Sequence, residues 1–185
     1  MNPEKRQRLK DLILQFSYQK KTIRLASGRM SDFYFDGKQT TLHPEGGTLV
    51  GQLMGDLLRE HFPEVQAVGG PTLGADPITT AITVTSFLRG FPVLGFIVRK
   101  EPKGHGTMNW IEGALHLQPG MRVVLVEDVI TTGGSILKAC TAVRDAGLVP
   151  LGVMVVVDRE EGGREALEAE GLKVVSLFGK SELLS

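Results

Sequence analysis

Apolar residues recur along this chain at two periods, and the switch from one to the other marks out its elements. From Arg6 to Tyr18, Leu9, Leu12, Ile13 and Phe16 stand three or four apart among charged residues, which predicts a helix with one apolar face. Thr48–His61 repeats that spacing with Leu49, Val50, Leu53, Leu57 and Leu58. Between them, Thr22–Arg29 and Phe33–Phe35 are predicted as short strands broken at Ser27-Gly28, and His43–Gly47 as a turn. Ala67–Val68 then leads into a polar loop, Gly69–Asp76, and a helix over Pro77–Phe87 with Pro77 in its first turn. Val93–Val98 is a strand followed by the polar segment Arg99–Asn109. Val123–Val126, Leu151–Val157 and Val174–Leu177 are strands, separated by the helices Ser135–Ala146, closed by Gly147, and Arg164–Glu170.

Short β-branched runs separated by helices define an α/β fold class, a mostly parallel twisted sheet with helices on both faces. Ligands of such sheets bind in loops at the carboxyl ends of the strands. The most polar, glycine-rich loops of this chain all follow strands.

Composition narrows the function classes. With 185 residues and no repeat or linker, residues 1–185 are expected to form one domain. A chain 42% hydrophobic and 23% charged is globular rather than disordered. A formal net charge of zero argues against a nucleic-acid binder that works by counterion release. Cys140 is the only cysteine, which excludes an internal disulfide and a thiolate zinc cluster. Met1–Lys10 is charged and no apolar run is long enough to span a bilayer, so a cytoplasmic enzyme or binding protein is expected, with no membrane partner.

The segment Val123–Ser135 carries the most specific chemistry. Four apolar residues end in Glu127-Asp128, then Val129-Ile130-Thr131-Thr132-Gly133-Gly134-Ser135 opens a helix. Amides at a helix start, with Thr and Ser hydroxyls beside them, form a receptor for a phosphate dianion. Two carboxylates at a strand end can accept hydrogen bonds from a ribose diol. Taken separately, the acids are ordinary caps and the glycines an ordinary turn; their ordered combination is far less common. The loop lacks the Gly-x4-Gly-Lys-Ser/Thr pattern of nucleotide P-loops, and Gly104-His105-Gly106 lacks the third glycine of a dinucleotide fingerprint.

This 13-residue stretch resembles the PRPP (5-phosphoribosyl 1-diphosphate) motif of type I phosphoribosyltransferases. The resemblance implies that Glu127 and Asp128 face the ribose. It implies too that Val129, Ile130, Thr131, Thr132, Gly133, Gly134 and Ser135 wrap the 5′-phosphate.

A second cluster, Arg99-Lys100-Glu101-Pro102-Lys103-Gly104-His105-Gly106, concentrates three cations and a histidine after a strand. Fixed cations stabilise negative charge growing on a departing diphosphate, and a histidine can donate a proton or hydrogen bond to the leaving oxygen. A lid would also keep water from the activated sugar. The cluster resembles the catalytic loop of orotate phosphoribosyltransferases. That implies catalytic roles for Arg99, Lys103 and His105, which also bind PRPP together with Lys100. It implies a homodimer in which Arg99, Lys103 and His105 reach the neighbour's site while Lys100 serves its own.

Two further stretches bear on the acceptor. Ser27-Gly28-Arg29-Met30-Ser31-Asp32-Phe33-Tyr34-Phe35-Asp36 is similar to the small N-terminal hood of that family, with Tyr34 and Phe35 at the orotate-contacting positions. Arg159, after the strand Leu151–Val157, suits a carboxylate through its two-pronged guanidinium, and orotate differs from uracil by a carboxylate. Thr131 matches the position that also touches the base. Ala26 and Leu73 depart from the family at positions where many relatives carry lysine, and Lys38 is a candidate replacement charge. The resemblance implies transfer of phosphoribosyl to orotate in UMP biosynthesis. Magnesium would enter held mainly through substrate, with no dedicated metal site in the protein. A purine-specific relative and a donor-sensing regulator are the competing readings. The hood and Arg159 speak against the first, and the basic cluster against the second.

Overall fold

The computed structural model describes residues 1–24, 30–102 and 110–185, with side-chain surroundings given outside residues 21–33. Helix α1 (Pro3–Leu12) begins on Asn2, whose side chain accepts from Lys5 N–H, and passes through a wide turn, Ile13–Ser17. Leu9, Leu12 and Ile13 are fully buried, each contributing about 1.5–3 kcal/mol of apolar transfer. The predicted helix therefore stops short of Tyr18, because Tyr18 already opens strand β1 (Tyr18–Arg24). That strand pairs antiparallel with β2 (Met30–Phe35) as a separate two-stranded sheet. A single turn, α2 (Lys38–Thr41), leads to α3 (Pro44–His61).

The predicted turn at His43–Gly47 is instead the first turn of α3. His43 caps it, its Nδ1 accepting from Gly46 N–H, and Pro44 holds the first helical position. The glycines that made the stretch look like a turn have a packing reason: a Cβ on Gly46 would lie 2.2 Å from the Thr40 carbonyl oxygen.

The main sheet comprises β3 (Ala67–Pro71), β4 (Leu94–Val98), β5 (Ile111–Glu112), β6 (Arg122–Ile130), β7 (Val149–Asp158) and β8 (Lys173–Gly179), in the order β5-β4-β3-β6-β7-β8. All neighbours are parallel except the edge pair β4–β5. Helices α4 (Ala75–Leu88), α5 (Gly134–Asp145), α6 (Gly163–Ala169) and α7 (Lys180–Leu183) complete the order.

Strand alternation divides the core in two. Val124 and Val126 of β6, with Met154 and Val156 of β7, pack beneath α1, α3 and α4. Val123 and Leu125, with Val153 and Val155, pack beneath α5 and α6. Both faces are covered, as an apolar parallel sheet requires. Arg6 closes the chain's two ends together: it pairs with Glu182, donates to the Leu177 carbonyl at 2.6 Å and stacks over Phe178. Among the described residues no helix is long and apolar enough to cross a membrane.

Candidate active site

The connections leave β3 and β6 in opposite directions. From β3 the chain runs through α4 to β4, and from β6 through α5 to β7. Because α4 and α5 cover opposite faces, a crevice opens between the carboxyl ends of β3 and β6, the switch point where open α/β sheets bind ligands. β3 stays paired with β6 only from Ala67↔Val123 to Gly69↔Leu125, whereas the β6–β7 ladder continues to Ile130↔Asp158. β6 therefore runs on through the acids, and Glu127 and Asp128 lie on a strand held from one side.

Both acids are buried, at 7% and 6% exposure. Two glycines press on them: a Cβ on Gly74 would lie 2.1 Å from Glu127 Oε1 and 2.6 Å from Asp128 Oδ1, and one on Gly37 2.6 Å from Asp128 Cβ. Burial, then the charge of Asp128, push the Glu127 carboxyl up to about 9. Asp128 is also raised by burial, against the pull of Lys38. Without ligand the pair thus holds a proton at neutral pH. Hydroxyl donors reaching it would favour the fully ionised form.

The next residues turn into α5. Gly133 takes φ +79°, a conformation that favours glycine, and no side chain caps the helix. Thr132, Gly134 and Ser135 are exposed, so the first amides of this 12-residue helix open toward solvent beside two hydroxyls. Thr131 is backed by the start of α6, its carbonyl within 2.7 Å of where a Gly163 Cβ would be.

Strand β5, which has no periodicity to reveal it, anchors the basic segment. Val98 pairs with Ile111, and Arg99 N–H donates to the Trp110 carbonyl at 2.8 Å, so both ends of the segment are held side by side. Arg99 Nη1 donates to Glu112 Oε1 at 2.6 Å. Lys100 borders a cavity of about 750 Å³ with Thr72, Arg99, Trp110 and Ser135, which joins the base of the segment to the start of α5. Lys103 and His105 lie outside the described residues, as do Ala26 and the Ser27–Arg29 part of the hood.

Arg159 is 7% exposed, and its backbone N–H donates to the Ile130 carbonyl at 3.1 Å, next to Thr131. Its Nε and Nη2 donate to Glu161 Oε1 at 3.1 and 2.9 Å. It is therefore a buried guanidinium already bonded to a carboxylate, whereas Asp158 pairs with Arg164 and Glu160 with Ser181. Phe35 packs against the core cluster of α1 and α3, and strand alternation turns Tyr34 to the other face. The two rings do not share one surface.

The structure brings the candidate replacement charge, Lys38, to the acid pair. Lys38 Nζ lies 2.7 Å from Asp36 Oδ1 and 4.0 Å from Asp128 Oδ2. Leu73 is 61% exposed after a cis Thr72-Leu73 peptide, and brings no charge. Elsewhere, Cys140 is buried core and His43 stacks on Phe16, both structural.

Residues 79–176, from within α4 to β8, match the phosphoribosyl transferase domain family, so both acids and the turn after them fall within that class of protein. The orotate phosphoribosyltransferase of Aquifex aeolicus is 53% identical over 88% of this chain and 86% of its own. The crystal structure of the Mycobacterium tuberculosis orotate phosphoribosyltransferase with Fe(III) dicitrate superposes with a TM-score of 0.85 at 42% identity, covering 97% of this chain and 98% of that one. The same enzyme solved with PRPP gives 0.79 at 37%, covering 99% and 93%. The chain belongs to the orotate phosphoribosyltransferase family.

Proposed function

We infer that the crevice between β3 and β6 is where this chain joins a phosphoribosyl group to orotate. The reaction takes the 5-phosphoribosyl group of PRPP to N1 of orotate, releases diphosphate and forms orotidine 5′-monophosphate, a step of pyrimidine biosynthesis. The observation that carries this assignment is the buried Glu127-Asp128 pair one turn ahead of the uncapped start of α5. The 5′-phosphate accepts hydrogen bonds from the amides and hydroxyls of Thr131–Ser135, while the ribose 2′ and 3′ hydroxyls donate to the two carboxylates. This fixes C1 of the sugar above β6. As the C1–O bond to diphosphate breaks and the C1–N1 bond forms, the N1 proton of orotate leaves with the released diphosphate, and positive charge developing on the ring is stabilised by the acids below it. Arg99, Lys100, Lys103 and His105 meet the negative charge on the leaving group. Arg159 receives the orotate carboxylate, with Thr131 beside the base and Tyr34 and Phe35 in the hood of residues 1–45 over the core of 46–185.

Magnesium accompanies the diphosphate. Among the described residues no three His, Cys, Asp or Glu side chains are grouped so as to hold a metal ion, so magnesium would be held mainly through oxygens of the substrate. When bound, it would neutralise charge on the diphosphate. The working unit is a homodimer in the cytoplasm. Val84, Phe87 and Leu88 on one face of α4, with Leu42 and Leu73 nearby, offer a second copy an exposed apolar surface. Sedimentation at twice the mass of one chain is the expected outcome. Incubation with PRPP, magnesium and orotate should deplete orotate absorbance. Turnover with adenine or guanine but not orotate would make it a purine enzyme instead.

A further inference from the structure

We propose that Lys38 supplies the positive charge that the donor's diphosphate meets on the α2 side of the crevice. The inference rests on the reading above, that the acid pair receives the ribose diol. The diphosphate is carried on C1, adjacent to the 2′ hydroxyl, so it must lie within a few ångströms of the carboxylates. Two turns flank them, and both touch the pair closely enough that a glycine Cβ would collide: Gly74 on one side and Gly37 on the other. The Gly74 side, Pro71-Thr72-Leu73-Gly74, contains no cation. The Gly37 side is followed at once by Lys38, and Lys38 and Leu73 line one cavity of about 660 Å³.

The local charge also calls for it. Asp36, Glu127 and Asp128 surround this end of the crevice, and a diphosphate entering among them would be repelled. Arg99 is bonded to Glu112 and Lys100 borders the cavity next to Ser135, so neither stands at this wall. Lys38 Nζ is held by Asp36 at 2.7 Å but stands 4.0 Å from Asp128, beyond a direct hydrogen bond. The half-exposed side chain can turn about its flexible stem from this position to a phosphate oxygen, while Asp36 keeps it from collapsing onto the acid pair. An ion pair between residues two apart would otherwise contribute little to the fold.

The test measures KM for PRPP and for orotate separately in Lys38→Gln, Lys38→Arg and the double variant Lys38→Gln with Leu73→Lys. Losing one charge-assisted contact should raise KM for PRPP by about ten- to a hundredfold, with KM for orotate changed less than about twofold. Lys38→Arg should recover most of the loss. Leu73→Lys should recover part of it, because it returns a cation to the same cavity from the opposite wall. Calorimetry with inorganic diphosphate and magnesium gives a readout independent of turnover, and Lys38→Gln should weaken that binding by a similar factor. If diphosphate binds wild type and Lys38→Gln equally, or both KM values rise together with loss of thermal stability, Lys38 is a structural ion-pair partner and the proposal fails. Absence of orotate turnover in the wild type would refute the functional reading instead, and the diphosphate titration would still decide Lys38.

Discussion

Two adjacent carboxylates buried without a cation in direct contact should make the ligand-free protein lose stability as pH rises. The perturbation that isolates them is Glu127→Gln, which keeps the shape and removes the titrating group. Burial and Asp128 push Glu127 up to about 9 from an ordinary carboxyl value of 4.5. An acid with a raised folded-state pKa binds its proton more tightly when folded. Its contribution is therefore fully present below the unfolded pKa and is lost as pH rises toward the folded one. Between pH 5 and pH 8 the unfolded chain has released this proton and the native pair retains it, which costs a little over 1 kcal/mol per pH unit, up to about 4 kcal/mol in all. The 7% exposure of the side chain leaves little room for solvent screening.

Other acids act at lower pH with the opposite sign. Although burial opposes it, hydrogen bonds from Lys38 and Gln39 hold Asp36 below its usual range. Arg8 does the same for Glu45, and Arg6 for Glu182. Their stabilisation is present above the ordinary carboxyl range and disappears as pH falls through it, so it is complete by about pH 5. Denaturant unfolding of wild type and Glu127→Gln across pH 5–8 measures the difference directly. The wild type should fall away from the variant by about 2–4 kcal/mol over that window, with most of the slope absent from Glu127→Gln. Parallel curves would mean that the pair is solvated and not proton-bound, and the electrostatic account of the site would be wrong.

The remaining predictions concern binding and catalysis. Gly74 has ordinary helical angles, so Gly74→Ala strains no backbone and acts only through its methyl group against Glu127 and Asp128. It should cost about 1–3 kcal/mol and sharply raise KM for PRPP, read by denaturation midpoint and kinetics; wild-type behaviour would mean that the carboxylates can move aside freely. Arg159→Ala should raise KM for orotate by about ten- to a hundredfold while KM for PRPP holds, and unchanged orotate affinity would reject its role. Lys103→Ala and His105→Ala should each lower kcat by about two or more powers of ten with little change in Tm; normal turnover in both would remove the basic segment from the mechanism.

The sequence pattern located the turn into α5 but misplaced the end of the strand before it. Glu127-Asp128 read as a stop because charges rarely continue a buried strand. β6 passes through them because β7 remains alongside to Ile130 after β3 has turned away. That long-range pairing leaves no local mark. The same holds for β5, two residues that count only through β4, and for α2, too short for a period. Phe35 was legible as part of a hood-like frame, but not its packing against the α1 and α3 core, which comes from tertiary contact. Lys38 was visible as a charge but not as a neighbour of Asp128, since only the packing of Gly37 against Asp128 brings the two strands' ends together.

The position of the acid pair explains how the fold tolerates it. A cost of up to about 4 kcal/mol is a large share of a small domain's net stability of about 5–15 kcal/mol. Here it falls on the central strand, where Val123–Val126 are completely buried between two apolar layers just ahead of the acids. The strand is therefore secured by residues that do not titrate, and the acids occupy the stretch released from β3. If the pair takes the ribose diol as proposed, hydroxyls donated to it would offset the same penalty. The proposed role thereby links donor binding and fold stability through the same two carboxylates on β6.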